Sequence, residues 1–200
     1  MFLINLDDTD VKVWNSETGK NVSSLKGHQG SIYSIKMTAD GSFAMSVGTD
    51  KFIRIWDIRA KSHVAAIDGN AYGDMNEIAF YQYPSLDQGV ESSIGGLACV
   101  GHTDGSLTFW DVGMRKCQAL YMAHSQEARG VSFNVDGKYL ASAGFDGQII
   151  ITDTSDLNKL TTVKTLQHND KVVSVRWHPH MPLLLSTSAD KSVRVWYPQA

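Results

Sequence analysis

Apolar and polar residues alternate in short runs along this chain, and small polar turns separate the runs. Residues 31–37 alternate as a half-buried strand does, Asp40-Gly41 signals a turn, and residues 43–47 form an apolar run suited to the middle of a sheet. Thr49-Asp50-Lys51 turns the chain again, residues 52–56 alternate once more, Ala60-Lys61-Ser62 breaks the run, and residues 63–67 read as a fourth strand. The second half repeats the order: strands over 130–133, 139–143, 149–152 and 160–166, with turns at Asp136-Gly137 and Asp146-Gly147. Short β-rich runs divided by Gly, Asp and Asn turns predict an all-β fold of repeated four-stranded units. No stretch carries a convincing helical period.

The repeat has fixed markers. Asp8, Asp50, Asp104, Asp146 and Asp190 are spaced 42, 54, 42 and 44 residues apart, and six residues after each come Trp14, Trp56, Trp110, Thr152 and Trp196. A period in the low forties is that of a repeat architecture, in which each copy is one supersecondary unit. His28, His124 and His168 keep step, each 28 residues before Trp56, Thr152 or Trp196, and Ser46, Ser142 and Ser186 each precede their aspartate by four. These groups can join in one hydrogen-bonded chain, from indole N–H to serine hydroxyl to imidazole to carboxylate, each supplying what its neighbour lacks. A buried polar network of this kind is tolerable when every member is paired. The copy ending at Trp110 departs: Asn70 stands near the histidine slot, Val100 replaces serine, and a turn-rich insertion falls around residues 81–93. In the next copy Thr152 replaces tryptophan, so its network is not expected to close in the same way.

Composition narrows the function. The 200 residues are 42% hydrophobic, enough for a sizeable core, and 18 basic against 21 acidic residues leave a net charge of −3, with no footprint for nucleic acid. The apolar stretches fall far short of a membrane span, and the N-terminus lacks the basic region of a signal peptide. Cys99 and Cys117 have no metal spacing, and the expectation is a reduced intracellular compartment. Serine, histidine and aspartate recur in several copies where a nucleophile is needed once, and no Gly-x-Ser-x-Gly elbow supports them, so they read as structural and the chain as non-catalytic. His178 and His180 flank Pro179 without a cysteine or acidic partner and read as a turn; no metal or cofactor is expected. Gly95-Gly96 and the Asp-Gly pairs are turns with no phosphate loop. Tyr81, Gln82, Tyr83 and Pro84 are a candidate binding loop.

Gly27-His28 with Ile55-Trp56-Asp57, and the pair Trp110-Asp111, resemble the WD40 repeats. The resemblance covers nearly the whole chain and implies a β-propeller, each four-stranded sheet one blade around a central channel. It divides the chain into a partial blade over 1–25 and repeats over about 26–67, 68–120, 121–166 and 167–197. Propellers of this family usually have seven blades. The expectation is therefore part of a seven-bladed or otherwise incomplete propeller, completed by another chain or lacking its N-terminal blades. The resemblance also implies that partners bind the face holding the loops into the first strands, at positions three and five after the histidine and one before the aspartate. These are Ser31, Tyr33 and Thr49; Glu127, Arg129 and Phe145; and Lys171, Val173 and Ala189. Asn76 and Thr103 are the nearest equivalents in the copy lacking the histidine.

Finer likeness suggests a setting. Ile151-Thr152-Asp153, Leu157, Leu160, the run from His168 to Val173, Val175-Arg176-Trp177-His178 and the run from Leu185 to Lys191 resemble the C-terminal propeller of the nemitin family of microtubule-associated WD-repeat proteins. That resemblance implies a protein-interaction scaffold in the cytoplasm, on the cytoskeleton or in the ciliary axoneme. A net negative chain is ill suited to acidic tubulin, so the contact is expected to run through a partner or a local basic patch such as Lys171 and Lys191. Trp56-Asp57-Ile58-Arg59 resembles the Trp-Asp-x-Arg box of substrate receptors for cullin-type ubiquitin ligases, with Arg59 as the key contact.

Overall fold

A computed structural model of the chain describes residues 2–4, 9–83 and 94–197. Asp8, Pro84 and most of the insertion lie outside them. The described strands form five antiparallel sheets, each a meander in which consecutive strands pair. The first holds β1 (Phe2–Ile4), β2 (Asp10–Trp14) and β3 (Asn21–Lys26). The second holds β4 (Ile32–Met37), β5 (Phe43–Gly48), β6 (Phe52–Asp57) and β7 (Ser62–Asp68). The third holds β8 (Met75–Gln82), β9 (Gly96–His102), β10 (Ser106–Asp111) and β11 (Lys116–Met122). The fourth holds β12 (Ala128–Phe133), β13 (Tyr139–Gly144), β14 (Gln148–Asp153) and β15 (Thr161–Gln167), with a short 3-10 turn over Leu157–Lys159. The fifth holds β16 (Val172–Trp177), β17 (Leu184–Ser188) and β18 (Val193–Trp196).

This is the all-β, four-stranded repeat that the alternation predicts, with one shift. Tyr81 and Gln82, read from sequence as part of a loop, continue β8 and pair with Leu97 and Gly96. Tyr81 packs on Phe133 of the next sheet, ring centroids 6.2 Å apart, which draws the aromatic pair out of solvent and into the strand.

The sheets stack face to face, with β4, β8, β12 and β16 lying side by side along one edge of the stack. Four apolar clusters fill the spaces between neighbours. Val11 and Val13 meet Ile32, Ala44 and Trp56; Met45, Ile53 and Ile55 meet Met75, Ile78, Ala98 and Trp110. Cys99, Leu107 and Phe109 meet Ala128, Val131 and Leu140; Ala141, Ala143 and Ile149 meet Val172, Val175 and Leu184. The interfaces share a plan: buried residues of one sheet's inner strands pack on the first strand of the next sheet and on residues of its second or third strand. Met45, Ile53, Leu107, Phe109 and Ile149 are all 0% exposed. The equivalent residues on the far face of the fifth sheet, Leu185, Val193 and Val195, are 40%, 67% and 52% exposed.

A single carboxylate ties the inner strands together. Glu77 on β8 accepts from Lys36 Nζ of the second sheet at 3.2 Å, from the Val131 N–H of the fourth at 3.1 Å, and from Arg176 Nη2 of the fifth. Burial holds the Lys36 pKa below its ordinary value, and the attraction of Glu77 offsets only part of that effect. Arg176 Nη1 also donates to the Val131 carbonyl at 3.2 Å. Removing the charge of Glu77 strands two cations against a largely buried site. We predict that Glu77→Gln, which keeps the shape, lowers stability by about 1–3 kcal/mol in urea unfolding. An unchanged midpoint would show that this carboxylate contributes nothing to holding the sheets together.

Candidate interaction surface

In the second sheet the polar chain is closed. Trp56 Nε1 donates to Ser46 Oγ at 2.8 Å, Ser46 Oγ meets His28 Nε2 at 2.6 Å, and His28 Nδ1 meets both oxygens of Asp50 at 2.9 Å. Because the indole can only donate, the serine passes its own proton to Nε2, which leaves Nδ1–H to donate to the carboxylate. The fifth sheet repeats this: Trp196 to Ser186 at 2.8 Å, Ser186 to His168 at 2.8 Å, His168 to Asp190 at 2.9 Å. In the fourth sheet His124 meets Ser142 at 2.8 Å and Asp146 at 3.1 Å, while the Thr152 hydroxyl is buried with no protein partner. Leu157 and Leu160 pack against the cluster below it and supply apolar bulk on that side.

The third sheet has a network that sequence reading missed. Trp110 Nε1 donates to Thr108 Oγ1 at 2.7 Å, and Thr108 meets His102 Nε2 at 2.7 Å. Histidine has moved from the loop before the first strand to the end of the second, and the hydroxyl from the second strand to the third. His102 stands two residues before Asp104, where the second and fourth sheets have Gly48 and Gly144. A Cβ on Gly144 would lie 2.3 Å from His124 Nδ1, so in the fourth sheet glycine leaves room for the imidazole from the opposite loop; the fifth sheet has Ser188 at this position beside His168. Where that imidazole is lost, the slot itself carries one. The signal was in the sequence as a histidine replacing a glycine at a fixed position. Asp104, expected in the network, is not hydrogen-bonded to His102; it accepts from the Ser106 N–H and hydroxyl at 2.9 and 2.6 Å and caps its own turn. Asn70 likewise serves a turn, its N–H on Asp68.

Burial lowers the pKa values of His28 and His124 despite the adjoining aspartates, and burial lowers that of His102 despite the Gly73 carbonyl. Burial acts to raise Asp50, yet the His28 hydrogen bond and charge together with the Gln29 and Phe52 N–H groups outweigh it and hold the carboxyl below its ordinary value. Neutral His28 and ionised Asp50 are thus the favoured pair in the second sheet.

The networks set the rim. Gln29, Ser125 and Asn169, each following its histidine, donate their N–H groups to the same aspartates at 3.2, 3.1 and 3.2 Å. The residue before each aspartate then ties to the loop: Thr49 N–H to Ser31 O, Thr103 to Asp74, Phe145 to Glu127 and Ala189 to Lys171, at 2.9–3.0 Å. Immediately beyond, the first strand of each of the second to fifth sheets carries a β-bulge, between Ile32 and Ser34, Met75 and Glu77, Ala128 and Gly130, and Val172 and Ser174. The bulged residues are Tyr33, Asn76, Arg129 and Val173. A bulge leaves one residue unpaired and re-aims its side chain. Tyr33, Arg129 and Val173 are exposed, while Asn76 is buried and bridges to Arg129 Nη1 at 3.1 Å. Lys171 and Arg129 both sit on the Phe145 ring, 4.7 and 5.4 Å from its centre. The structure therefore brings Ser31, Tyr33, Thr49, Asn76, Thr103, Glu127, Arg129, Phe145, Lys171, Val173 and Ala189 to one end of the sheets, and adds Asp74, which pairs with Lys51 at 3.7 Å. Arg59 is exposed on the β6–β7 turn, at the opposite end of its sheet.

Among the described residues no three His, Cys, Asp or Glu side chains form a group able to hold a metal. His178 Nδ1 is taken by the N–H groups of His180 and Met181 at 3.1 and 3.0 Å.

The model of the WD domain, G-beta repeat, matches residues 19–57, 115–153 and 160–197. The chain belongs to this family of WD40 repeats, whose sheets are the blades of a β-propeller. It is similar to the nuclear distribution protein PAC1-2 of Uncinocarpus reesii, 28% identical over 86% of this chain and 39% of that protein. It is also similar to the LEC14B protein of Lithospermum erythrorhizon, 25% identical over 95% of this chain and 38% of the relative. The WD repeat-containing protein slp1 of Schizosaccharomyces pombe is 30% identical over 94% and 36% respectively. The chain thus spans less than two-fifths of the length of each.

Two predictions follow from the networks. Ser46→Ala and Thr108→Val should each cost about 1–3 kcal/mol, because each orphans a buried indole N–H and an imidazole nitrogen. Ser142→Ala, which leaves only an imidazole behind, should cost about half as much in the same urea titration. The pH dependence has one sign. Unfolded histidines take a proton near their ordinary value of 6.5, whereas the buried ones resist it. The unfolded state therefore binds more protons below that pH, and the urea midpoint should be flat above about pH 7.5 and fall as pH drops below about 6.5.

Proposed function

We propose that this chain is a protein-interaction scaffold whose partner docks on the rim formed by the bulged residues Tyr33, Arg129 and Val173 and by Phe145 and Lys171. The observation that carries the reading is the repeated bulge. It places an aromatic, a cation and an aliphatic side chain outward at equivalent positions on a rigid frame, and aromatics and arginine dominate binding hot spots. We place the assembly in the cytoplasm, on microtubules or the ciliary axoneme. The likeness to the nemitin family supports this setting, as does the nuclear-distribution name of one relative. The apolar, exposed far face of the fifth sheet supports a further blade resting there. Arg59, exposed at the opposite end, favours a second reading as a substrate receptor docking a cullin-type ligase adaptor.

Co-sedimentation with stabilised microtubules, with and without cilium or brain extract, tests this. The wild-type chain should pellet only with extract, and a Tyr33→Ser, Val173→Ser double variant with an unchanged melting curve should stay in the supernatant. A wild type that never pellets, or a double variant that pellets equally, would overturn the rim reading on microtubules. Loss of adaptor capture by a folded Arg59→Ala variant would then bring the ligase reading forward.

A further inference from the structure

We propose that Phe145, Arg129 and Lys171 form a clamp for the anionic side chain, carboxylate or phosphate, of an acidic peptide segment. The proposal rests on the rim being the docking face, and it specifies the chemistry of what docks. The three residues come from two sheets: Arg129 is the bulge of β12, Phe145 lies in the β13–β14 turn, and Lys171 precedes β16. Two cations converge on one ring, Lys171 Nζ at 4.7 Å and Arg129 Cζ at 5.4 Å from its centre. The negative face of an aromatic ring attracts each cation, and an anion docking at this ring meets positive charge from both sheets.

The clamp is built before any ligand arrives. Asn76 is 5% exposed; its Nδ2 donates to the Ala128 carbonyl at 3.2 Å, which fixes its Oδ1 to receive Arg129 Nη1 at 3.1 Å. The Phe145 N–H is held by the Glu127 carbonyl at 2.9 Å, so the ring is tied to the strand that carries Arg129. A group locked by its neighbours loses less entropy on binding.

The donors are also unspent. Glu127 lies 3.8 Å from Arg129, beyond good hydrogen-bond length, with both side chains about 40% exposed. Lys171 has no ion pair among the described residues, and the neighbouring Asp170 turns its carboxylate to the Lys171 backbone N–H at 2.7 Å. Asp146, beside Phe145, is taken up by His124, Ser125 and Gln148. One of the five guanidinium donors goes to Asn76, which leaves the fork free for a carboxylate or phosphate. Val173, 47% exposed at the equivalent bulge of the next sheet, offers an apolar contact for an adjoining residue of the peptide.

Fluorescence anisotropy with the full chain tests the clamp. The probes are three labelled dodecapeptides alternating glycine with glutamate, with phosphoserine, or with glutamine, in 50 mM NaCl. We expect the anionic peptides to bind and the glutamine peptide not to. Lys171→Met and Phe145→Leu should each weaken binding about fivefold, the size of one exposed cation contact, while Lys164→Met on β15 changes nothing. Binding of the glutamate peptide identifies a plain acidic segment as sufficient; binding of the phosphoserine peptide alone identifies a phosphorylated one. Equal binding of the glutamine peptide, or full affinity in Lys171→Met, overturns the clamp. If the clamp variants bind as wild type while the Tyr33, Val173 double variant still loses extract-dependent sedimentation, the clamp alone falls and the rim stands.

Discussion

The hydrogen-bonded chain from indole through hydroxyl and imidazole to carboxylate is the constraint on which the rest of this molecule depends. It joins parts of a blade that hairpin pairing alone leaves loose: the loop entering the first strand, the end of the second strand and the middle of the third. The aspartate does two things at once. It fixes the imidazole, and it accepts the N–H of the residue after the histidine, as at Gln29, Ser125 and Asn169. The loop is thereby pinned a few residues before the bulge. Rim geometry is inherited from a buried network, so a change at Ser46 or Asp50 reaches Tyr33 without touching it.

This dependence explains why the third blade rebuilt its network after losing the usual histidine. An indole N–H at 3% exposure needs an acceptor, and a buried donor left alone costs as much as several surface contacts return. Thr108 supplies the acceptor from the same strand, and His102 satisfies the threonine from the strand beside it. The fourth blade took the other route and removed the donor. With Thr152 in place of tryptophan the chain ends at Ser142, whose hydroxyl meets His124 Nε2 at 2.8 Å and has the Ile150 carbonyl at 3.4 Å.

What could be read from the sequence divides along the same line. The strands, their turns and the histidine, serine and aspartate sets of the second, fourth and fifth blades were legible because local alternation and fixed spacing specify them. The third blade was not, since its network exchanges partners between strands, and spacing within a copy does not show which strands face each other. His102 in a glycine slot was the available signal. The bulges left no mark in composition, because a register shift of one residue changes no residue type; the rim positions were reached only through family likeness. The Glu77 bridge was equally hidden. Its partners are 41, 54 and 99 residues away, and only the stacking of four first strands brings them together.

The frame also explains where individuality can reside. Between blades, every interface asks for the same thing: buried apolar residues of one sheet against buried apolar residues of the next. Within blades, the polar chain fixes histidine, hydroxyl and carboxylate. The bulged position answers to neither demand. Its backbone pairs with no opposite residue, and its side chain is exposed at Tyr33, Arg129 and Val173 but buried at Asn76, so tyrosine, asparagine, arginine and valine occupy four equivalent sites in one chain. A fold that holds its interior uniform and leaves one outward position per blade unconstrained can carry many tasks on one architecture. The differing names of the relatives accord with that. On the reading proposed above, the partner of this chain is written in the few residues that the fold does not need, foremost the pair of cations on Phe145.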